Sequence, residues 1–145
     1  MNNKTTAINY FKNEFNCAQS VLIAYKDETN ISENELLKIS CGFGAGMGRL
    51  QNTCGAVSGA YMAIGLKYGK FNKEDNEARE KTYALVREFD SEFKKIFKTI
   101  NCIELLGCNL LTEEGKKYFH DNNLRDNICI KCIEESINIL DKLLK

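Results

Sequence analysis

The chain has 145 residues, with twenty Lys plus Arg against twenty Asp plus Glu and a formal net charge of zero. That length suits one domain, and the charge balance excludes the basic excess on which sequence-independent contact with nucleic acid phosphates depends. Seven cysteines and a single histidine in a chain expected to stay in a reducing cytoplasm disfavour a disulfide framework and point to metal ligation or redox chemistry.

The first residues, Met1 to Thr6, lack the continuous apolar stretch of a secretory signal, so a cytoplasmic location is expected. The most apolar run, Cys54 to Leu66, falls short of the about 18 residues that a spanning helix needs, so no membrane partner is expected. The chain has no proline, and its apolar residues recur at helical spacing throughout. The pattern predicts an all-α fold: one domain over residues 1–145, a helical bundle of five to six helices, with a glycine-rich loop before the third.

The first helix is predicted over Thr5 to Lys26, where Ile8, Phe11, Phe15, Ala18, Leu22 and Tyr25 form one face and Cys17 lies beside it. Ser32 and Glu35 make a capping box for the second helix, which Gly42 ends. Gly42, Gly44, Gly46 and Gly48 then alternate with Phe43, Ala45 and Met47, a density of glycine that predicts a loop. Walker A and G-x-G-x-x-G spacings both fail there, so a nucleotide site is not expected. Thr53 is the expected cap of a third helix, Cys54 to about Tyr68, stopped by Gly69. Asn72 is the expected cap of a long fourth helix to about Thr99, with Ala78, Thr82, Leu85, Val86, Phe89, Phe93, Ile96 and Phe97 inward. A short helix over Cys102 to Leu106 closes at Gly107, and another starts at Thr112. The last helix starts near Asn127 with Ile128, Cys132, Ile133, Ile137, Leu140 and Leu144 on its inner stripe.

Among candidate reactive groups, Cys54 stands at the start of the third helix, where unpaired amides and the helix dipole stabilise a thiolate, with Arg49 as a nearby cation. Gly55, Gly59 and Ala63 form a small-residue stripe, read first as tight helix packing. Cys129-Ile130-Lys131-Cys132 is a CxxC outside the βαβ context of a thioredoxin, and Cys132 reads as a small core residue. His120, in a polar stretch, reads as exposed. No spacing supports a Ser-His-Asp triad or a carboxylate pair.

Four blocks taken together are more specific. They are Asn16-Cys17-Ala18-Gln19-Ser20-Val21; the glycine loop Phe43 to Arg49 with Cys54-Gly55-Ala56-Val57-Ser58-Gly59; Cys102-Ile103-Glu104-Leu105-Leu106-Gly107; and Cys129 with Ile133, Ile139 and Leu140 behind it. In this order they resemble the C_GCAxxG_C_C family of redox-active proteins, over nearly the whole chain. The second block reads Cys-Gly-Ala where the family name has Gly-Cys-Ala. The resemblance implies redox activity and four characteristic cysteines, matched here by Cys17, Cys54, Cys102 and Cys129, with Cys41, Cys108 and Cys132 outside the set.

Three functions compete on this reading. Four thiolates from four segments suit an iron-sulfur cluster used in electron transfer, or another metal, with Cys17, Cys54, Cys102 and Cys129 as ligands. Alternatively, Cys54 is the nucleophile of metal-free thiol-disulfide exchange, with Cys129 or Cys17 resolving and no cofactor. A helical interaction module with buried, inert cysteines is the third. A redox partner protein is implied by the first two; whether the protein is an enzyme and whether it forms a homodimer stay open.

Overall fold

The computed structural model describes residues 2–145. Among them are eight right-handed α-helices and no strand: α1 Asn3–Lys12, α2 Cys17–Ile23, α3 Glu33–Cys41, α4 Gly55–Tyr68, α5 Asn76–Phe97, α6 Cys102–Leu106, α7 Glu113–Asp121 and α8 Ile130–Leu143. The all-α expectation therefore holds, with more and shorter helices than the five to six predicted. Among the described residues no helix is long and apolar enough to cross a membrane.

The continuous first helix is corrected to two. Its backbone leaves the helix at Asn13, and Glu14 takes a left-handed φ of 73°. Asn16 then starts α2 with a reciprocal capping box: its Oδ1 accepts from the Gln19 amide and its own amide donates to Gln19 Oε1, both at 3.0 Å. Two orphan donors are satisfied at once, which favours a helix start at this point. The break puts Cys17 in the first position of a helix instead of on the flank of a long one.

Ser32 caps α3 as expected, accepting from the Glu35 amide. Thr112 likewise caps α7, and Gly107, in the left-handed region, closes α6. Two other caps are corrected. Cys54, not Thr53, is the residue before α4, because Thr53 is held in an isolated antiparallel bridge to Asn101. Asp75, not Asn72, caps α5 by accepting from the Ala78 amide, while the Asn72 side chain closes the preceding turn onto the Glu74 amide.

Helix α2 is the centre of the packing, against α1, α3, α4 and α8, and α5 covers α4 and α8. The small-residue stripe explains how α4 comes so close to α2. A Cβ on Gly59 would lie 2.7 Å from the Ala18 carbonyl oxygen, and one on Gly55 3.0 Å from the Ala18 amide nitrogen. Phe89 and Phe93 of α5 and Ile133, Ile137 and Leu140 of α8 fill the main core. A smaller apolar cluster of Cys102, Leu106 and Leu110 packs with Ala45, Phe119 and Ile128.

Candidate functional site

Between the main core and the smaller cluster lies a cavity of ≈ 120 Å³. Phe11, Leu105, Leu106, Leu110, Phe119 and Ile128 make its wall mainly apolar, and five of the seven cysteines line it: Cys17, Cys54, Cys102, Cys129 and Cys132. The four cysteines of the sequence motif thus come to one place, and a fifth joins them. Cys41 is exposed on α3. Cys108 borders a separate groove with Gly107 and Asn109.

Each thiol is delivered by a local device. The Asn16 capping box starts α2 at Cys17, and the Asn16 amide group also ties this start to the Cys41 carbonyl at 2.8 Å. Cys54 and Cys102 are placed by one pairing of two chain segments: the Cys54 amide donates to the Ile100 carbonyl and the Cys102 amide to the Asn52 carbonyl, both at 2.7 Å. Cys129 ends a π-helical turn, Arg125–Cys129, that runs directly into α8, and Cys132 lies one turn further on. Such turns are wider than an α-helix and frequent at functional sites.

The glycine-rich segment, expected as an irregular loop, instead winds into a short left-handed helical turn over Gly44–Met47. Ala45, Gly46, Met47, Gly48 and Arg49 all have φ between 53° and 72°, a left-handed turn in which the Met47 and Gly48 amides bond back to Phe43 and Gly44. A Cβ on Gly46 would be 2.5 Å from the Gln51 Cα, so the chain doubles back on itself tightly. Non-glycine residues held left-handed cost of order 1–2 kcal/mol each and concentrate at functional sites.

What this turn achieves is to bury Gln51, itself at φ 58° and only 2 % exposed. Its Nε2 donates to the Cys108 carbonyl at 2.8 Å and its Oε1 accepts from the Leu110 amide at 2.7 Å, clamping the segment after α6. It also hydrogen-bonds the Cys102 thiol. Sequence reasoning missed Gln51, since a polar residue beside a glycine run carries no sign of burial.

The thiols interact most strongly as two pairs, Cys54 with Cys132 and Cys17 with Cys129, while Cys102 neighbours Gln51. Cys132 donates to Cys54, and this bond holds the Cys54 thiol below its ordinary range, against desolvation and with help from the Ala56 and Val57 amides. Donation to Cys54, together with burial, pushes Cys132 far up. Cys17 is likewise raised, chiefly by its interaction with Cys129, with burial contributing. Cys102 is pushed up to about 12, chiefly by desolvation. The helix start lowers the Cys54 thiol as expected, but Arg49 does not contribute: it is exposed, on a different groove with Lys116 and His120. The reading of Cys132 as a small core residue holds, since it is 1 % exposed within the main core; its interaction with Cys54 is a further role that the sequence did not show.

Arg125 closes the cavity on another side. Its guanidinium stacks 3.8 Å from the centre of the Phe11 ring and donates to the Phe11 carbonyl. His120 is exposed, as expected. Among the described residues no three Cys, His, Asp or Glu side chains converge closely enough to hold one metal ion. All seven cysteines are free thiols.

No curated protein and no solved structure matches the chain. A family profile described as "Putative redox-active protein (C_GCAxxG_C_C)" matches residues 15–143, from the start of α2 to the end of α8. That span holds every cysteine lining the cavity, and the chain belongs to the C_GCAxxG_C_C family, whose description carries a redox role.

Proposed function

We propose that the protein is a thiol-disulfide redox protein whose exchanging dithiol is Cys54 and Cys132. The observation that carries this reading is that Cys54 at the head of α4 and Cys132 on α8, which packs against α4, are both buried and line one mainly apolar cavity, with the Cys54 thiol lowered and Cys132 raised by their interaction. Thiolate character on one sulfur and a resolving thiol within reach are the two requirements of exchange.

In the forward direction the Cys54 thiolate attacks one sulfur of a substrate disulfide. A bond from Cys54 to that sulfur forms as the substrate S–S bond breaks, and the leaving sulfur departs as a thiolate. That thiolate takes the proton of Cys132, which attacks Cys54 Sγ and expels the second substrate sulfur, itself protonated from water. Two cysteines are oxidised to one disulfide, and the substrate disulfide is reduced to two thiols.

The test is oxidation of the reduced protein with glutathione disulfide followed by peptide mapping. A Cys54–Cys132 disulfide is expected, and Cys54→Ser and Cys132→Ser should each abolish it. If both residues stay reduced while other cysteines pair, the assignment is overturned.

A second reading rests on a different observation, the gathering of thiols from four segments around one space. Cys17, Cys54, Cys102 and Cys129 would be the ligands of an iron-sulfur cluster, which would supply one-electron chemistry when bound. A single-ion site does not fit, since no three donors among the described residues converge on one point. To admit a cluster, the neighbouring thiols Cys17 and Cys129, and Cys54 and Cys132, would have to move apart. Anaerobic reconstitution with iron and sulfide, read by visible absorption and by loss of signal in Cys102→Ser, separates the readings: Cys102 is a ligand in the second and idle in the first.

A further inference from the structure

The exchanging pair is poorly placed to meet a large substrate. Cys54 is 7 % exposed and Cys132 1 %, and a cavity of ≈ 120 Å³ has no room for a polypeptide segment. Cys17 and Cys129 line the same cavity but are only half-buried. The two pairs adjoin through the backbone on both sides. A Cβ on Gly55, the residue after Cys54, would lie 3.1 Å from the Cys17 Cβ, and Cys129 and Cys132 are one helical turn apart, where side chains share a face.

We infer that Cys17 and Cys129 are an outer dithiol that takes the disulfide of a protein substrate and passes it inward to Cys54 and Cys132, a relay that rests on the exchange reading above. Cys129, its proton given up to water, attacks one sulfur of the protein disulfide; a bond to that sulfur forms as the partner's S–S bond breaks, and the leaving sulfur departs as a thiolate that takes the proton of Cys17. The Cys17 thiolate attacks Cys129 Sγ and expels the second partner sulfur, which is protonated from water, leaving a Cys17–Cys129 bond and a reduced partner. The Cys54 thiolate then attacks Cys17 Sγ, the Cys17–Cys129 bond breaks, and Cys129 leaves as a thiolate that takes the proton of Cys132. The Cys132 thiolate attacks Cys54 Sγ and displaces Cys17, which is reprotonated from water. The outer pair ends as two thiols and the inner pair as a disulfide, two electrons having moved outward. The partner class is therefore a protein disulfide, with the small cavity reserved for the internal transfer.

The experiment uses the full chain, fully reduced, mixed with insulin as the protein disulfide and quenched at intervals by alkylation for mass mapping. In the unaltered protein the Cys17–Cys129 disulfide should appear first and Cys54–Cys132 later. Combining Cys17→Ser with Cys129→Ser should slow inner-pair oxidation by insulin on the order of tenfold or more, because direct access is lost. Cys132→Ser should trap a Cys17–Cys54 disulfide, a cross-link that a purely structural role for Cys17 would not produce. Inner-pair oxidation at an unchanged rate in the double variant, or absence of the trapped cross-link, overturns the relay. Failure of the exchange reading itself looks different: glutathione disulfide would then not produce the Cys54–Cys132 bond at all.

Discussion

Cys54 at the head of α4 and Cys132 on α8 line one cavity as buried neighbours, on two helices that pack against each other in the core. Hydrogen bonding from Cys132 is the largest cause of the lowered Cys54 thiol. Cys132→Ala should therefore raise it and shift the alkylation profile of Cys54 to higher pH. With iodoacetamide at pH about 6–7, where an ordinary thiol is almost wholly protonated, Cys54 of the unaltered protein should be labelled ahead of Cys17, Cys102 and Cys108, all of which are raised. An unshifted profile in Cys132→Ala would show that the bond does not tune Cys54.

Stability in alkali should fall. Cys102 is held up to about 12 by desolvation, whereas in the unfolded chain a thiol titrates near about 8.5. Between those values the folded state keeps a proton that the unfolded state has lost, so its contribution is complete below the lower value and lost as pH rises through the upper. Cys17 and Cys132 act in the same sense and Cys54 in the opposite one. Urea unfolding midpoints in reductant should decline from pH about 8.5 upwards, and Cys102→Ala should make the decline shallower.

Gly59→Ala should destabilise, although alanine is the better helix former by about 1 kcal/mol. The new methyl would meet backbone, at 2.7 Å from the Ala18 oxygen and 3.2 Å from its Cα, and α2 would have to withdraw. Overpacking of this kind costs typically about 1–3 kcal/mol. Thermal unfolding should show a lower midpoint, and because α2 carries Cys17, the order of disulfide formation should change with it.

Ala45→Gly should do the reverse. Ala45 sits at φ 53°, ψ 42°, where a Cβ costs on the order of 1 kcal/mol and glycine costs none. An alanine-to-glycine change in an ordinary helix loses about that amount. A stability equal to or above that of the unaltered protein in chemical denaturation is expected, and a clear loss would contradict the left-handed turn.

The helical pattern was legible wherever a stripe and a cap agreed, as at Ser32, Thr112 and Gly107. It misled where they competed. Phe11, Phe15, Ala18 and Leu22 keep helical spacing straight through a break that Asn16 and Gln19 impose, because two short helices meeting end to end can hold the same apolar phase. The four cysteines could be gathered from the family-like blocks, but not their pairing. A cysteine on an apolar stripe looks the same in sequence whether it merely fills space or donates to another sulfur, and Cys132 does both. The run of left-handed residues after Gly44 was legible only as glycine excess, since Ala45, Met47 and Arg49 are not residues that advertise positive φ.

The π turn before α8 has a consequence for how this helix tolerates change in length. Its Ile130 amide bonds to the Arg125 carbonyl, five residues back, so this turn holds one residue more than an α-helical turn would. Removing one residue between Arg125 and Cys129 would let the ladder close at ordinary α spacing and rotate everything upstream by about 100° relative to the body of α8. Cys132 would keep its place against Cys54, while the side chains ahead of the deletion, Arg125 among them, would be swung away from Phe11. The wide turn thus works as an angular adaptor, letting one continuous helix serve the Phe11 side of the cavity and the Cys54 side at a phase that regular winding does not supply.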